Sequence, residues 1–146
     1  MRKTFWEKFP VTILRIHGIC LILLALVNAS VSYRSTITEN LGPFHFLYTN
    51  PTSEIGLWQA YLLMSLIGIV LIVGANGQSI WPSDLLGIAA HLVPLSTLAL
   101  FKPLVVNAMG IETFHLSLCI HLLFITLEIF ALVSGLLVTR TEGIKR

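Results

Sequence analysis

The sequence predicts an all-α, polytopic transmembrane four-helix bundle, and its composition and four long apolar runs support this prediction. The chain has 146 residues, of which 55% are hydrophobic and only 11% are charged, with a mean hydropathy of +0.87. A soluble domain usually carries about 25% charged residues. The net charge of +2 is too small to indicate nucleic-acid binding. We therefore expect one integral membrane domain over residues 1–146, with the lipid bilayer as its partner and no nucleic acid.

Each of the four apolar runs is long enough to cross a bilayer, which takes about 20 residues as a helix. The connections between them contain turn signals such as Gly42-Pro43 and Asn50-Pro51. The segment Phe44–Tyr48 in the longest connection is apolar enough to lie against the membrane surface. Lys102-Pro103 is expected to shorten or kink the third helix. The predicted helices cover residues 10–33, 56–75, 85–106 and 113–139, with an outer loop over residues 34–55.

The first apolar run has a second interpretation, as a cleaved signal peptide. A basic start precedes an apolar core at Ile19–Val27, and Val27-Asn28-Ala29 resembles a cleavage site. Against this, Arg15 and His17 extend the basic region, and the whole run is long enough to span. A retained helix that starts at Pro10 is favoured, because proline is well tolerated in the first helical turn.

The distribution of lysine and arginine predicts the orientation, since cytoplasmic flanks are enriched in these residues. With four spans both termini lie on one side, and seven of the nine lysines and arginines fall there. We therefore predict N-in/C-in topology in a bacterial inner (plasma) membrane. The seven are Arg2, Lys3, Lys8, Arg15, Arg140, Lys145 and Arg146, against Arg34 and Lys102 on the opposite side.

Ionisable residues inside the apolar runs are the candidates for function. Such residues cost several kcal/mol in lipid and normally face a bundle interior with a partner. Glu128 lies within the last run, and His121 lies two helical turns earlier on the same face. His17 and His91 fall at a depth similar to that of Glu128, roughly 10–16 Å below the cytoplasmic surface at 1.5 Å per residue. Asn28 is the further intramembrane polar residue, predicted to face inward with His17.

Three functional interpretations of these residues remain open, and no catalytic motif indicates an enzyme. The leading one is a structural or accessory subunit of a membrane complex, or a self-associating bundle, in which polar side chains join the helices. The second is a redox protein, with His17 and His91 as candidate ligands of haem b, or with Glu128 as a third ligand of a metal ion. The third is a small proton-coupled carrier that uses Glu128.

A separate polar group is predicted near the outer surface. It could form a pocket for a quinone headgroup or a metal ion, although interfacial belts and loop contacts more often explain such residues. Its candidate members are His45, Gln59 and His115, with Tyr48 and Glu54 nearby.

Overall fold

The structure is a computed structural model that describes residues 5–38, 42–77 and 79–143. These residues form helices and short connections, with no strand among them. Four of the helices are long and apolar enough to cross a membrane, which confirms the prediction of an all-α protein with four spans. In chain order the helices are α1 (Phe5–Ile37), α2 (Phe46–Thr49), α3 (Ser53–Gly74), α4 (Trp81–Leu100), α5 (Lys102–Met109) and α6 (Ile111–Gly143).

Two prolines act differently from one another. Pro10 was predicted to start α1, but the helix begins at Phe5 and Pro10 lies inside it, so that prediction is wrong. Pro103 does interrupt the third span, as expected. The helix stops at Leu100, Phe101 has a non-helical backbone, and the separate helix α5 follows. The reason is that proline lacks the N–H needed to continue a helix, and its ring clashes with the carbonyl group four residues earlier.

The four long helices run antiparallel to their neighbours in the chain. Along α1 and α3, Ser32 contacts Glu54 and Arg15 contacts Asn76, so numbers rise on one helix as they fall on the other. Between these contacts, the backbones of Gly18 and Gly68 meet so closely that a Cβ on either glycine would lie 2.5–2.6 Å from the carbonyl oxygen of the other. Small residues of this kind allow close helix packing in membranes.

The apolar interior is small, and most large apolar side chains face outward. Leu14, Leu21, Leu71 and Ala75 form its buried cluster between α1 and α3. The outward-facing leucine, isoleucine and valine side chains on all four spans suit contact with lipid rather than water. The buried face of α1 also carries polar groups, His17 and Ser32 among them.

Candidate functional site

Four side chains from three helices form one continuous hydrogen-bonded chain, here called the His–Glu chain. His121 on α6 and His91 on α4 are joined through their Nδ1 atoms at 2.7 Å. His91 and His17 on α1 are joined through their Nε2 atoms, also at 2.7 Å. The remaining nitrogen of His17, Nδ1, contacts Oε1 of Glu128 on α6. His17, His91 and Glu128, which were placed at a similar depth from the sequence, therefore contact one another, and His121 contacts His91.

The His–Glu chain is enclosed by protein. His17 and Glu128 are fully buried, His91 is 3% exposed, and His121 is partly buried. The ring of Phe124 stacks on both His17 and His91, with ring centroids 4.5 and 5.0 Å apart. This aromatic cover keeps the two imidazoles parallel and shields them from lipid, which strengthens hydrogen bonds between them in a medium of low dielectric constant.

Glu128 fits against α4 because Gly87 leaves space for it. A Cβ at position 87 would lie 2.8 Å from both Cδ and Oε1 of Glu128. One turn before Gly87, Asp84 is also fully buried and interacts electrostatically with Glu128. Neither Asp84 oxygen has a hydrogen-bond partner among the described residues, nor does Oε2 of Glu128. Buried carboxyl oxygens without partners are costly, so these two interacting carboxyl groups mark a place where a proton or another donor is needed.

Asp84 is the residue of this site whose role the sequence reasoning missed. A carboxylate near the start of a helix is typical of a helix cap, but the N-cap of α4 is Ile80, and no side-chain hydrogen bond caps the helix there. Asp84, Gly87 and His91 are spaced by three and four residues and therefore share one face of α4. That spacing is the sequence feature that could have indicated that Asp84 lies near His91 in the site.

The geometry bears on the haem and metal hypotheses. A metal ion bound at about 2.0–2.1 Å by two imidazole nitrogens holds them more than roughly 3 Å apart. The Nε2 atoms of His17 and His91 are 2.7 Å apart and therefore bond each other rather than bracketing an ion. Within the described ranges, no group of three or more His, Cys, Asp or Glu residues is arranged to hold a metal ion.

The remaining candidate residues lie elsewhere. Asn28 is partly buried on α1, and no hydrogen bond among the described residues joins it to the His–Glu chain. His45 is exposed, and its Nδ1 lies 3.0 Å from the carbonyl oxygen of Gly42. Gln59 and His115 are exposed on α3 and α6, and no hydrogen bond or ring contact among the described residues joins them to each other or to His45. The predicted outer pocket stays a prediction.

The His–Glu chain has the composition of a proton wire. In one state Glu128 is ionised and all three rings are neutral. His17 then donates Nδ1–H to Glu128, and His91 donates Nε2–H to His17. His121 completes this state by donating Nδ1–H to His91, which leaves its own Nε2 with a free lone pair.

Uptake of one proton at Nε2 of His121 converts this state into a second one. Each hydrogen bond passes its proton one step along, so that Glu128 ends protonated. All three rings are then neutral again, each in the opposite tautomer. Every hydrogen bond holds one proton in both states, and no imidazolium persists in either.

The fold and the site define a class: a four-span, all-helical membrane protein with a buried hydrogen-bonded chain of ionisable side chains. Comparison of the chain with protein-family models, curated proteins and solved structures finds no match. The function is therefore argued from the geometry of the site.

Proposed function

We propose that the protein is a proton-coupled membrane carrier in which the His–Glu chain relays protons through one half of the bilayer. The observation that carries the proposal is the unbroken series of hydrogen bonds from His121 through His91 and His17 to Glu128. Buried carboxylates and histidines in membranes typically mark proton pathways. Asp84 interacts electrostatically with Glu128 and lies only three residues inside α4, so it places a second carboxyl group near the turn between α3 and α4.

The relay stops near the middle of the membrane. Asp84 and His91 are seven residues apart on α4, about 10 Å along the helix axis. His121 lies ten residues inside the other end of the bundle, about 15 Å from the start of α6. Beyond this level α1 contributes Leu21 and Ala25, which are buried and apolar. A relay that ends in an apolar layer does not leak protons by itself, which favours coupled transport over an open channel.

The tautomers of the three histidines provide the test. We expect ¹⁵N solid-state NMR of the protein in lipid to show Nδ1–H, Nε2–H and Nδ1–H tautomers for His17, His91 and His121 when Glu128 is ionised. Protonation of Glu128 should invert the tautomers of all three histidines. The infrared band of the carboxylic C=O group of Glu128 reports when that protonation occurs. A stable imidazolium, or tautomers that do not change while Glu128 titrates, would contradict the relay.

Glu128→Gln supplies the matched variant. An amide keeps the shape and can still hydrogen-bond His17, but it cannot take up a proton. The inversion should disappear in this variant while the bundle remains folded. Glu112→Gln, an exposed carboxyl in the first turn of α6, should leave the inversion intact.

A structural or accessory role is the second candidate, and a specific observation favours it. The His–Glu chain joins α1, α4 and α6, and interhelical hydrogen bonds in membranes contribute about 0.6 kcal/mol each on average. In that case His17→Leu should lower stability or abolish assembly with a partner subunit or a second copy, and the tautomers should be fixed. The NMR experiment therefore separates the two candidates.

The orientation and location remain proposals supported by the lysine and arginine counts. In N-in/C-in topology in a bacterial inner membrane, a cysteine at Asn50 reacts with an impermeant maleimide in spheroplasts, whereas one at Ser79 reacts only after lysis. Both variants would be made with Cys20 and Cys119 replaced by serine. The reverse labelling pattern would overturn the orientation.

A haem at His17 and His91 would require the two rings to separate, so haem is not part of the proposed mechanism. An absorption spectrum of protein purified from its native membrane checks this, because a Soret band lost in His17→Ala would restore the haem hypothesis.

A further inference from the structure

A further buried carboxylate, besides Glu128 and Asp84, lies in the opposite half of the bundle. Glu54, in the first turn of α3, is 8% exposed. Its Oε1 accepts hydrogen bonds from Ser32 Oγ at 2.8 Å and from Trp58 Nε1 at 2.7 Å. Its Oε2 is buried without a hydrogen-bond partner, and no Lys, Arg or His in the described part of the chain forms an ion pair with it.

This carboxylate is distinct from the His–Glu chain. Ser32 and His17 are fifteen residues apart on α1, which corresponds to about 22 Å along the helix axis. The apolar layer with Leu21 and Ala25 lies between them. The relay described above therefore does not account for Glu54.

A cavity of about 260 Å³ lies between α1 and α3, and its lining includes Trp58, which donates to Glu54. Three aromatic side chains, Tyr33, Trp58 and Tyr61, line it together with small and aliphatic residues that include Ala25 and Leu62. Trp58 connects the cavity to Glu54, because it lines the cavity and donates its indole N–H to the carboxylate. Tyr61 also lines the cavity, and its hydroxyl interacts with Ser32, the other donor to Glu54.

The cavity opens sideways toward lipid. Its wall includes Leu26, Tyr33 and Leu62, which are 59%, 55% and 60% exposed on the outer surface of the bundle. From Trp58 to Ser65 at its inner end, the cavity extends over seven residues of α3, about 10 Å along the helix. A ligand can thus place a polar end near the membrane surface and an apolar end toward the bilayer centre.

We propose that this cavity binds a protonated amphipathic amine drawn from the bilayer. Aromatic faces attract cations, and the attraction is strongest where the cation is shielded from water. Hydrogen bonding of the Trp58 N–H to a carboxylate makes the indole ring more electron-rich. The uncompensated charge of Glu54 acts on the same cation through a medium of low dielectric constant. The alkyl part of the amine then lies along Ala25 and Leu62.

The test measures binding of radiolabelled decylamine to the full-length protein in lipid nanodiscs at pH 7, with empty nanodiscs subtracted. Saturable binding of one amine per chain is expected. Decanol has the same alkyl chain without the charge, and it should compete at least about tenfold more weakly, a difference of about 1.4 kcal/mol. Glu54→Gln should weaken amine binding by a similar factor, because it removes the charge and keeps one oxygen that can accept from both Ser32 and Trp58.

Two further variants make the result decisive. Glu112→Gln removes an exposed carboxyl from the first turn of α6 on the same side of the bundle and should leave amine binding unchanged. Ala29→Leu fills the cavity from α1 without touching the Glu54 carboxylate and should abolish binding. Equal binding of amine and decanol, unchanged binding in Glu54→Gln or Ala29→Leu, or an absence of saturable binding would each overturn the proposal. None of these outcomes depends on the proton relay.

Discussion

Gly87→Ala is the substitution for which the structure gives the clearest expectation. The added methyl group would lie 2.8 Å from Cδ and Oε1 of Glu128. Ordinary contact begins at 3.4 Å, so the carboxyl group must move by about 0.6 Å, the difference between these distances. Overpacking of this kind costs about 1–3 kcal/mol. Displacement also weakens the hydrogen bond to His17, which is worth about 0.6 kcal/mol on average in membranes.

A matched control separates this effect from helix propensity, because replacing glycine by alanine in a helix gains up to about 1 kcal/mol. Gly135→Ala has the same propensity gain two turns beyond Glu128 on α6, and its methyl group would meet Ile80 and Pro10 only at 3.8 Å. It should therefore be tolerated, and only residues bulkier than alanine should disturb packing there.

We expect Gly87→Ala to be less stable than Gly135→Ala by about 1–3 kcal/mol. The measurement is the free energy of unfolding in mixed micelles titrated with sodium dodecyl sulfate. The ¹⁵N resonances of His17 should also shift in Gly87→Ala alone. Equal stability of the two variants, together with an unchanged His17 spectrum, would refute the close packing of Glu128 on Gly87.

Two other substitutions, Gly68→Ala and Asn76→Ala, test the packing of α1 on α3, and Gly56→Ala is a control. Gly68→Ala places a methyl group 2.6 Å from the carbonyl oxygen of Gly18 and should destabilise the protein by about 1–3 kcal/mol. Gly56→Ala, on the same helix but with nothing within 4 Å of the new methyl group, should not destabilise it, and equal losses in both would count against the close approach. Asn76→Ala removes the acceptor of the exposed 2.6 Å hydrogen bond from Arg15, and the same detergent titration should show a change below about 0.5 kcal/mol. A much larger loss would mean that Arg15 has a structural role beyond the membrane surface.

The sequence was sufficient for the spans and for the inward position of Glu128, because both follow from the cost of polar groups in lipid. It also indicated that His17, His91 and Glu128 share a level, because helical rise converts residue number into depth. It could not indicate which atoms meet. That depends on how α1, α4 and α6 are rotated about their axes, and a rotation of one residue moves a side chain by about 100°.

Tertiary structure decided the rest of the site for the same reason. Asp84 and Glu54 lie near helix ends, where a carboxylate in the sequence is equally consistent with capping or with exposure at the membrane surface. Only the packing of neighbouring helices shows that Asp84 is buried beside Glu128 and that Glu54 is held by Ser32 and Trp58. The sequence alone determined a four-span membrane protein with costly polar groups inside it. Tertiary structure decided which of these groups are partners, because interhelical contacts depend on rotation and close approach that no local pattern encodes.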